Sequence, residues 1–174
     1  MISIRKSREN DIDAVTAIYE AILGEEEAGR GSTGWQRGVY PTQQTAGEAH
    51  RKGELFVMEE EGKVVAAARI NQEQVPEYAD CPWKYDAPDE EIMVLHTLVV
   101  DPGQGGKGLA TKFVAFYQDY ALKNGCRFLR MDTNENNTAA RGLYNKLGFF
   151  EPGFVSCIFN GIAGVRLVCL EKRL

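Results

Sequence analysis

VVDPGQGGKGLATKF, Val99 to Phe113, sets a hydrophobic strand end, a turn opened by Asp101-Pro102, a glycine-rich loop and a helix in direct succession. That order of parts builds a receptor for a pyrophosphate. Glycines let the backbone come close to the phosphates, and the first helical turn presents unpaired N–H groups and the positive end of its dipole. A second run, NTAARGLYNKLGF, follows at Asn137 to Phe149. There Asn137, Ala140 and Tyr144 stand at i, i+3 and i+7 and share one helical face.

Other owners of such a loop fit less well. A P-loop needs Ser or Thr after its lysine, and Lys107 is followed by Gly108. Gly103, Gly105 and Gly108 match the spacing G-x-G-x-x-G. A dinucleotide loop, however, follows the first strand of a βαβ unit, with an acidic residue about twenty positions on. This loop begins after residue 100, and Lys123 and Asn124 occupy the acidic region. A glycine turn without a ligand is the plain alternative.

The two runs together resemble the GNAT superfamily of N-acyltransferases, which use acetyl-coenzyme A. The family loop is Q/R-x-x-G-x-G/A. Aligned on Gly108 and Ala110, its first position falls on Gly105, with Gln104 one residue earlier as a stand-in. The motif N-x-x-A-x-x-L-Y-x-K-x-G-F is matched at Asn137, Ala140, Leu143, Tyr144, Lys146, Gly148 and Phe149. The resemblance is sharp over residues 91–149. It implies an α/β fold with a mixed, mostly antiparallel central sheet splayed in the middle and flanked by helices. It also implies an N-acetyltransferase in which an amine attacks acetyl-CoA directly. By the same resemblance, Gln104, Gly105, Gly106, Lys107, Gly108, Leu109 and Ala110 grip the pyrophosphate. Backbone groups of Leu98, Val99 and Val100 hold the pantetheine and the thioester carbonyl. Asn137 binds the pantetheine arm, Ala140 permits its close approach, and the Tyr144 hydroxyl sits by the sulfur.

The chemistry calls for an acid and a base. A tyrosine with an ordinary pKa of about 10 stays protonated at neutral pH, which suits Tyr144 to protonating the leaving thiolate; a packed core aromatic is the other reading. An alkylammonium must lose a proton before attack. His96, two residues before the expected carbonyl-binding backbone, has an ordinary pKa of about 6.5 and is a candidate base, or else a hydrogen-bonded core histidine. Glu90 and Glu91, acting through water, are alternatives. His50 lies in a polar helix and is expected at the surface. Asp132, Thr133 and Asn134 end a strand beside the splay. Asp132 and Asn134 are candidates for orienting the acceptor, and turn capping would also explain them.

Composition fits one domain spanning residues 1–174. Apolar residues are 44% and charged residues 26%, ordinary for a globular chain. No apolar stretch reaches the roughly 18 residues that a membrane crossing needs, and MISIRKSREND has no apolar signal core. Cys81, Cys126, Cys157 and Cys169 form no C-x-x-C pair, so no metal is expected and free thiols in a reducing cytoplasm are the default. A net charge of −5 argues against a nucleic-acid partner. The expected partner is an amine-bearing small molecule or peptide, and a homodimer is compatible with the reading. A non-catalytic acyl-CoA-binding module is the alternative from another class.

Periodicity gives the order β-α-α-β-β-β-α-β-α-β-β. Asn10 is placed to cap the first helix, and Gly24 to Glu27 reads as loop. Glu91 to Val100 is an apolar strand of the kind buried on both faces. Between it and the preceding strand lies NQEQVPEYADCPWKYDAPDE, Asn71 to Glu90, with three prolines and the aromatics Tyr78, Trp83 and Tyr85. Two readings stand: a surface loop whose aromatics cover the sheet, or a lid over the acceptor.

Overall fold

The computed structural model describes residues 1–174. The elements are β1 (Ile2–Lys6), α1 (Asp11–Glu27), α2 (Gln43–Arg51), β2 (Leu55–Glu60), β3 (Lys63–Asn71), β4 (Ile92–Val100), α3 (Leu109–Lys123), β5 (Phe128–Asn134), α4 (Thr138–Lys146), β6 (Phe150–Phe159) and β7 (Ile162–Arg173). This is the order read from the sequence. The seven strands form one sheet, β1-β2-β3-β4-β5-β7-β6. All neighbours are antiparallel except β4 and β5.

That parallel pair creates the opening. The β4–β5 ladder runs only from Ile92 opposite Phe128 to Val94 opposite Arg130. Beyond it β4 continues against β3 to Val100, while β5 continues against β7 to Asn134. The strands therefore part in mid-sheet. At the parting the buried Tyr117 hydroxyl of α3 donates to the Met93 carbonyl at 2.6 Å, with the Arg130 carbonyl at 3.3 Å. One side chain thus ties both strands to α3 where they leave each other.

Helices cover both faces. Phe113, Val114 and Tyr117 of α3 and Tyr144 of α4 pack on Phe56, Met58, Ala66, Ala68, Met93 and Leu95. Val15, Ile18 and Tyr19 of α1 and Ala46 and Ala49 of α2 pack on Leu55, Val57, Ala67 and Val99. A bulge interrupts β4: Arg69 opposes His96, but Ala67 opposes Val99, so Thr97 and Leu98 answer to Ala68 alone. Thr97 has φ 52°, a strained value for a β-branched residue. The extra residue inverts the strand's alternation. Met93 and Leu95 face α3, and beyond the bulge Leu98 and Val100 take that side while Val99 turns to α1.

Two local expectations are corrected. The Asn10 side chain makes no capping bond, because the residue itself is helical at φ −70° and ψ −7°. Asp11 holds the start of α1 instead, accepting from the Arg8 amide at 2.6 Å and from Arg5 at 2.7 Å. The stretch Gly24 to Glu27 is not loop: α1 continues through it. Arg30 pairs with Glu25 at 2.7 Å, and Arg37 pairs with Glu20 and Glu27, so distant arginines relieve an acidic run whose glutamates are good helix formers.

Residues 72–91 carry two short 3-10 turns, Pro76–Asp80 and Asp89–Glu91. Tyr78 is fully packed against Ile92 and Val94, on the sheet face that α1 and α2 leave bare. Trp83 meets Tyr78 edge-on at 5.2 Å and donates Nε1–H to its carbonyl at 2.9 Å. The Arg130 guanidinium lies 4.4 Å from the Trp83 ring centre. Tyr85 rests on Phe128 and Phe150.

Candidate active site

The glycine-rich loop between β4 and α3 is a run of backbone donors. Asp101 accepts from the Gly103 amide at 2.9 Å and the Gln104 amide bonds the Asp101 carbonyl at 2.8 Å. From Gly105 through Thr111 the amides find no acceptor in the protein. Gly108 heads α3 at φ 69° and brings no capping side chain, which leaves the first turn open to an anion. Gly106 shares the left-handed conformation at φ 80°. The Lys107 ammonium bonds Gln104 and reaches Glu60 at 3.4 Å. Gln104 is therefore part of the loop's own scaffold, beside the amides expected to hold phosphate.

The parted strands open into a cavity of about 470 Å³. It is lined by Leu95, His96, Thr97 and Leu98 of β4, Asp132, Thr133 and Asn134 of β5, and Asn137, Ala140 and Tyr144 of α4. Its roof is the α1–α2 connection, with Thr33, Gly34, Trp35 and Tyr40, and the β6–β7 hairpin, with Phe159, Asn160 and Ile162. Because β5 leaves β4 after Val94, the β4 edge from Leu95 to Val100 faces the gap unpaired. Val99 sends its side chain into the core at 1% exposure, so only its backbone is offered.

On α4, Asn137 caps the helix by accepting from the Ala140 amide at 3.2 Å and takes a bond from Ser32 at 3.3 Å. Tyr144 is 8% exposed and its ring packs on Phe149. Its hydroxyl bonds no protein group. Burial first, and then the Asp132 charge, push its pKa up to about 12. The hydroxyl thus stays protonated at neutral pH.

His96 is held by polar partners. Its Nε2 lies 2.7 Å from the Asn71 Oδ1. That oxygen also accepts from the Glu73 amide at 3.0 Å, while Asn71 Nδ2 donates to Glu54 at 3.0 Å. The asparagine orientation is therefore set, and His96 donates from Nε2, leaving the lone pair on Nδ1. Burial, with the Arg69 charge second, lowers its pKa to about 4. The titration expected near 6 to 7 is displaced: this imidazole is neutral throughout the working range.

Asp132 is the ionisable group poised near neutrality. Desolvation pushes its pKa up to about 6, and the Tyr78 hydroxyl, donating at 2.6 Å, holds it partly down. Asn134 accepts from the Asn136 amide at 2.9 Å. A Cβ on Gly34 would stand 2.8 Å from the Asn134 amide nitrogen, so glycine lets the α1–α2 connection close against β5.

The insertion reaches the cavity through Val75, and its aromatics do not. Tyr78, Trp83 and Tyr85 are not among the cavity-lining residues; they cover the sheet, and only Tyr78 touches the site, from behind Asp132. Glu90 and Glu91 sit at the opposite end of β4, outside the lining. His50 Nδ1 lies 2.7 Å from Ser7 Oγ, away from the site. The residues that sequence reasoning missed are Tyr40, whose hydroxyl bonds Thr97 at the bulge, and Trp35, which meets Tyr40 edge-on at 5.9 Å. Their signal was the length of the glycine- and aromatic-bearing stretch between two helices.

Residues 15–149 match the family model of the acetyltransferase (GNAT) family, and the chain belongs to that family. It is 30% identical over 101 residues to an uncharacterized N-acetyltransferase of Methanocaldococcus jannaschii, a match covering 58% of this chain and 41% of that relative. The chain thus spans less than half the length of that relative. An acetyltransferase of the same family from Streptococcus agalactiae has the same fold, at TM-score 0.84 and 22% identity over 99% of this chain and 95% of that one. YncA of Salmonella typhimurium, solved with its cofactor acetyl-CoA, superposes at TM-score 0.69 and 21% identity, over 99% and 94% of the two chains.

Proposed function

We propose that the protein is an acetyl-CoA-dependent N-acetyltransferase acting by direct transfer to an amine. The observation that carries this is the run of unpaired amides from Gly105 to Thr111 at the head of α3, beside parted strands whose gap also receives the Tyr144 hydroxyl. The amides fit a pyrophosphate, and the free β4 edge at Leu98, Val99 and Val100 fits a pantetheine arm with Asn137 and Ala140 opposite. The ammonium first gives one proton to solvent. The amine nitrogen then attacks the carbonyl carbon, the C–S bond breaks, and Tyr144 protonates the thiolate. The proton left on the new amide nitrogen restores Tyr144. The products are the acetylated amine and coenzyme A.

We place the work in the cytoplasm, on a small molecule or peptide, without nucleic-acid or membrane partners. The acidic balance supports this against a nucleic-acid partner; no helix is long and apolar enough to cross a membrane. Phe154 and Ile158 are exposed on the edge strand β6; we infer that this face pairs two copies of the chain, which sedimentation velocity reads.

Gly105 gives the cleanest test of the loop. At φ −60° and ψ 152° it accepts a side chain without backbone strain, and a Cβ there meets only the Pro102 carbonyl, at 3.7 Å. Gly105→Trp is expected to fold normally and to weaken acetyl-CoA binding at least tenfold, about 1.4 kcal/mol, by calorimetry. Unchanged affinity would remove the loop from the site.

A further inference from the structure

The charges around the cavity do not balance. Its charged lining residues are Glu48, Arg69 and Asp132, with His96 held neutral. Arg69 is already committed, with Nε on Glu54 at 2.6 Å and Nη2 on Glu73 at 3.1 Å. Glu48 is at the exposed rim and takes a bond from Gln44 at 3.1 Å. Asp132 lies inside, on β5, and its partner is the neutral Tyr78 hydroxyl. No cation of the protein pairs with it. The cavity that holds it carries the aromatics Tyr19, Trp35, Tyr40, Tyr144 and Phe159 among its aliphatic and polar lining residues.

Asp132 is half-buried, and a carboxylate partly withdrawn from water without a counter-cation favours a ligand that supplies one. Aromatic faces also favour a cation over an anion. No free cation stands in the cavity to receive an acceptor's carboxylate, and a second anion beside Asp132 would be repelled.

We propose that Asp132 binds the acceptor's ammonium group, and that the acceptor is a cationic amine carrying no carboxylate beside it, such as an aryl-alkylamine, a diamine or a peptide N-terminus. This rests on the acetyl-transfer reading and narrows its substrate class. Tyr78 positions Asp132 from the insertion, which gives that segment a part in acceptor choice beyond the single side chain, Val75, that it contributes to the cavity wall. The bulge at Thr97, bonded by Tyr40, brings the roof of the cavity down on the same pocket.

The test is a panel of matched acceptors, each amine beside the amino acid from which it differs by one carboxylate: tyramine and tyrosine, histamine and histidine, agmatine and arginine, cadaverine and lysine, with a capped-C-terminus dipeptide as the peptide case. Free thiol released from acetyl-CoA gives kcat/KM for each. At least one carboxylate-free member is expected to exceed its partner tenfold or more. Asp132→Asn is expected to raise that acceptor's KM at least tenfold while the acetyl-CoA dissociation constant stays within twofold. The variant keeps an oxygen for Tyr78 and loses an uncompensated charge, so its fold is not endangered, and its melting temperature documents that. The proposal is overturned if the amino acids are the better acceptors, if Asp132→Asn leaves the KM unchanged, or if a protein that binds acetyl-CoA acetylates no member of the panel. A protein that fails to bind acetyl-CoA overturns the acetyl-transfer reading instead.

Discussion

Tyr144 and His96 sit in the same cavity and burial moves their pKa values apart. The phenol goes up, to about 12, and the imidazole down, to about 4, since desolvation disfavours the charged form of each. Tyr144 is thus always protonated and His96 always neutral in the working range. Tyr144→Phe keeps the ring against Phe149 and deletes only the hydroxyl. It should lower kcat by roughly 10²-fold or more, the scale of acid catalysis, with acetyl-CoA affinity nearly unchanged; full activity with chemistry limiting would make Tyr144 a packing residue. The pH profile belongs to Asp132, whose pKa is about 6. Around it stand Tyr78 and Glu77 of the insertion, Tyr40 of the α1–α2 connection, Tyr144 of α4, Cys157 of β6 and Cys169 of β7. The tyrosines and cysteines are all shifted upward and stay neutral as the carboxylate titrates. Above pH 6 the carboxylate is charged and holds an ammonium; below it the charge is lost. Acceptor kcat/KM should therefore fall as pH drops through about 6. That limb should survive His96→Gln and disappear in Asp132→Asn. A limb that vanishes with His96 would return the titrating role to the imidazole.

The last rungs before the gap between β4 and β5 are tied from α3. Tyr117 is fully buried, and its hydroxyl reaches the Met93 and Arg130 carbonyls at the last rungs of the parallel ladder. Tyr117→Phe strands those carbonyls, a cost of about 1–3 kcal/mol for buried acceptors. Urea unfolding should show that loss, whereas Tyr120→Phe on the same helix should shift stability by less than about 0.5 kcal/mol, as surface changes do. Equal effects at both positions would remove the tie. Much of this element layer was legible. The glycine loop and the Asn137–Phe149 helix carry their own chemistry, and the hairpin at Asn160-Gly161 is a strong turn signal. The bulge was not. VLHTLVV is apolar throughout, and a strand buried on both faces shows no alternation for an extra residue to break. Nor was the end of α1 legible, because Gly24 reads as a breaker and the arginines that steady Glu20, Glu25 and Glu27 lie up to seventeen positions away. Site membership followed the same divide. Asp132, Asn134, Asn137, Ala140 and Tyr144 sit on regular elements, and periodicity places them. Trp35 and Tyr40 sit in a connection whose path is set by tertiary contacts alone.

Across the whole molecule, α1 and α2 cover the sheet near β2 and β3, and the insertion between β3 and β4 completes the same face over β4 to β7. Its centre is a column in which the Trp83 ring lies between Tyr78 and the Arg130 guanidinium. Arg130 is 7% exposed and bonds Gln74 at 2.6 Å and the Tyr85 carbonyl at 2.9 Å. Its neighbour across the β5–β7 ladder, Glu171, accepts from the Lys84 amide. A buried arginine and glutamate on adjacent strands therefore hold one loop by its backbone. Burial pushes the Glu171 pKa up and that of Arg130 down, the direction expected when both charges have left water. An element fastened this way serves stability before it serves access. Trp83→Ala opens a void in the column and bares the Arg130 face, so unfolding free energy in urea should drop by about 2–4 kcal/mol, toward the lower range for large aromatics because Trp83 is half-buried. Below the melting range the acceptor and acetyl-CoA KM values should both stay within twofold, because Trp83 lines no part of the cavity. A tenfold rise in acceptor KM at unchanged stability would make the insertion a wall of the acceptor site. Tyr78→Phe, which keeps the column and removes only the bond to Asp132, separates the two: it should leave stability within about 1–1.5 kcal/mol of the parent and move the acidic limb of the acceptor profile upward, since that bond favours the charged carboxylate.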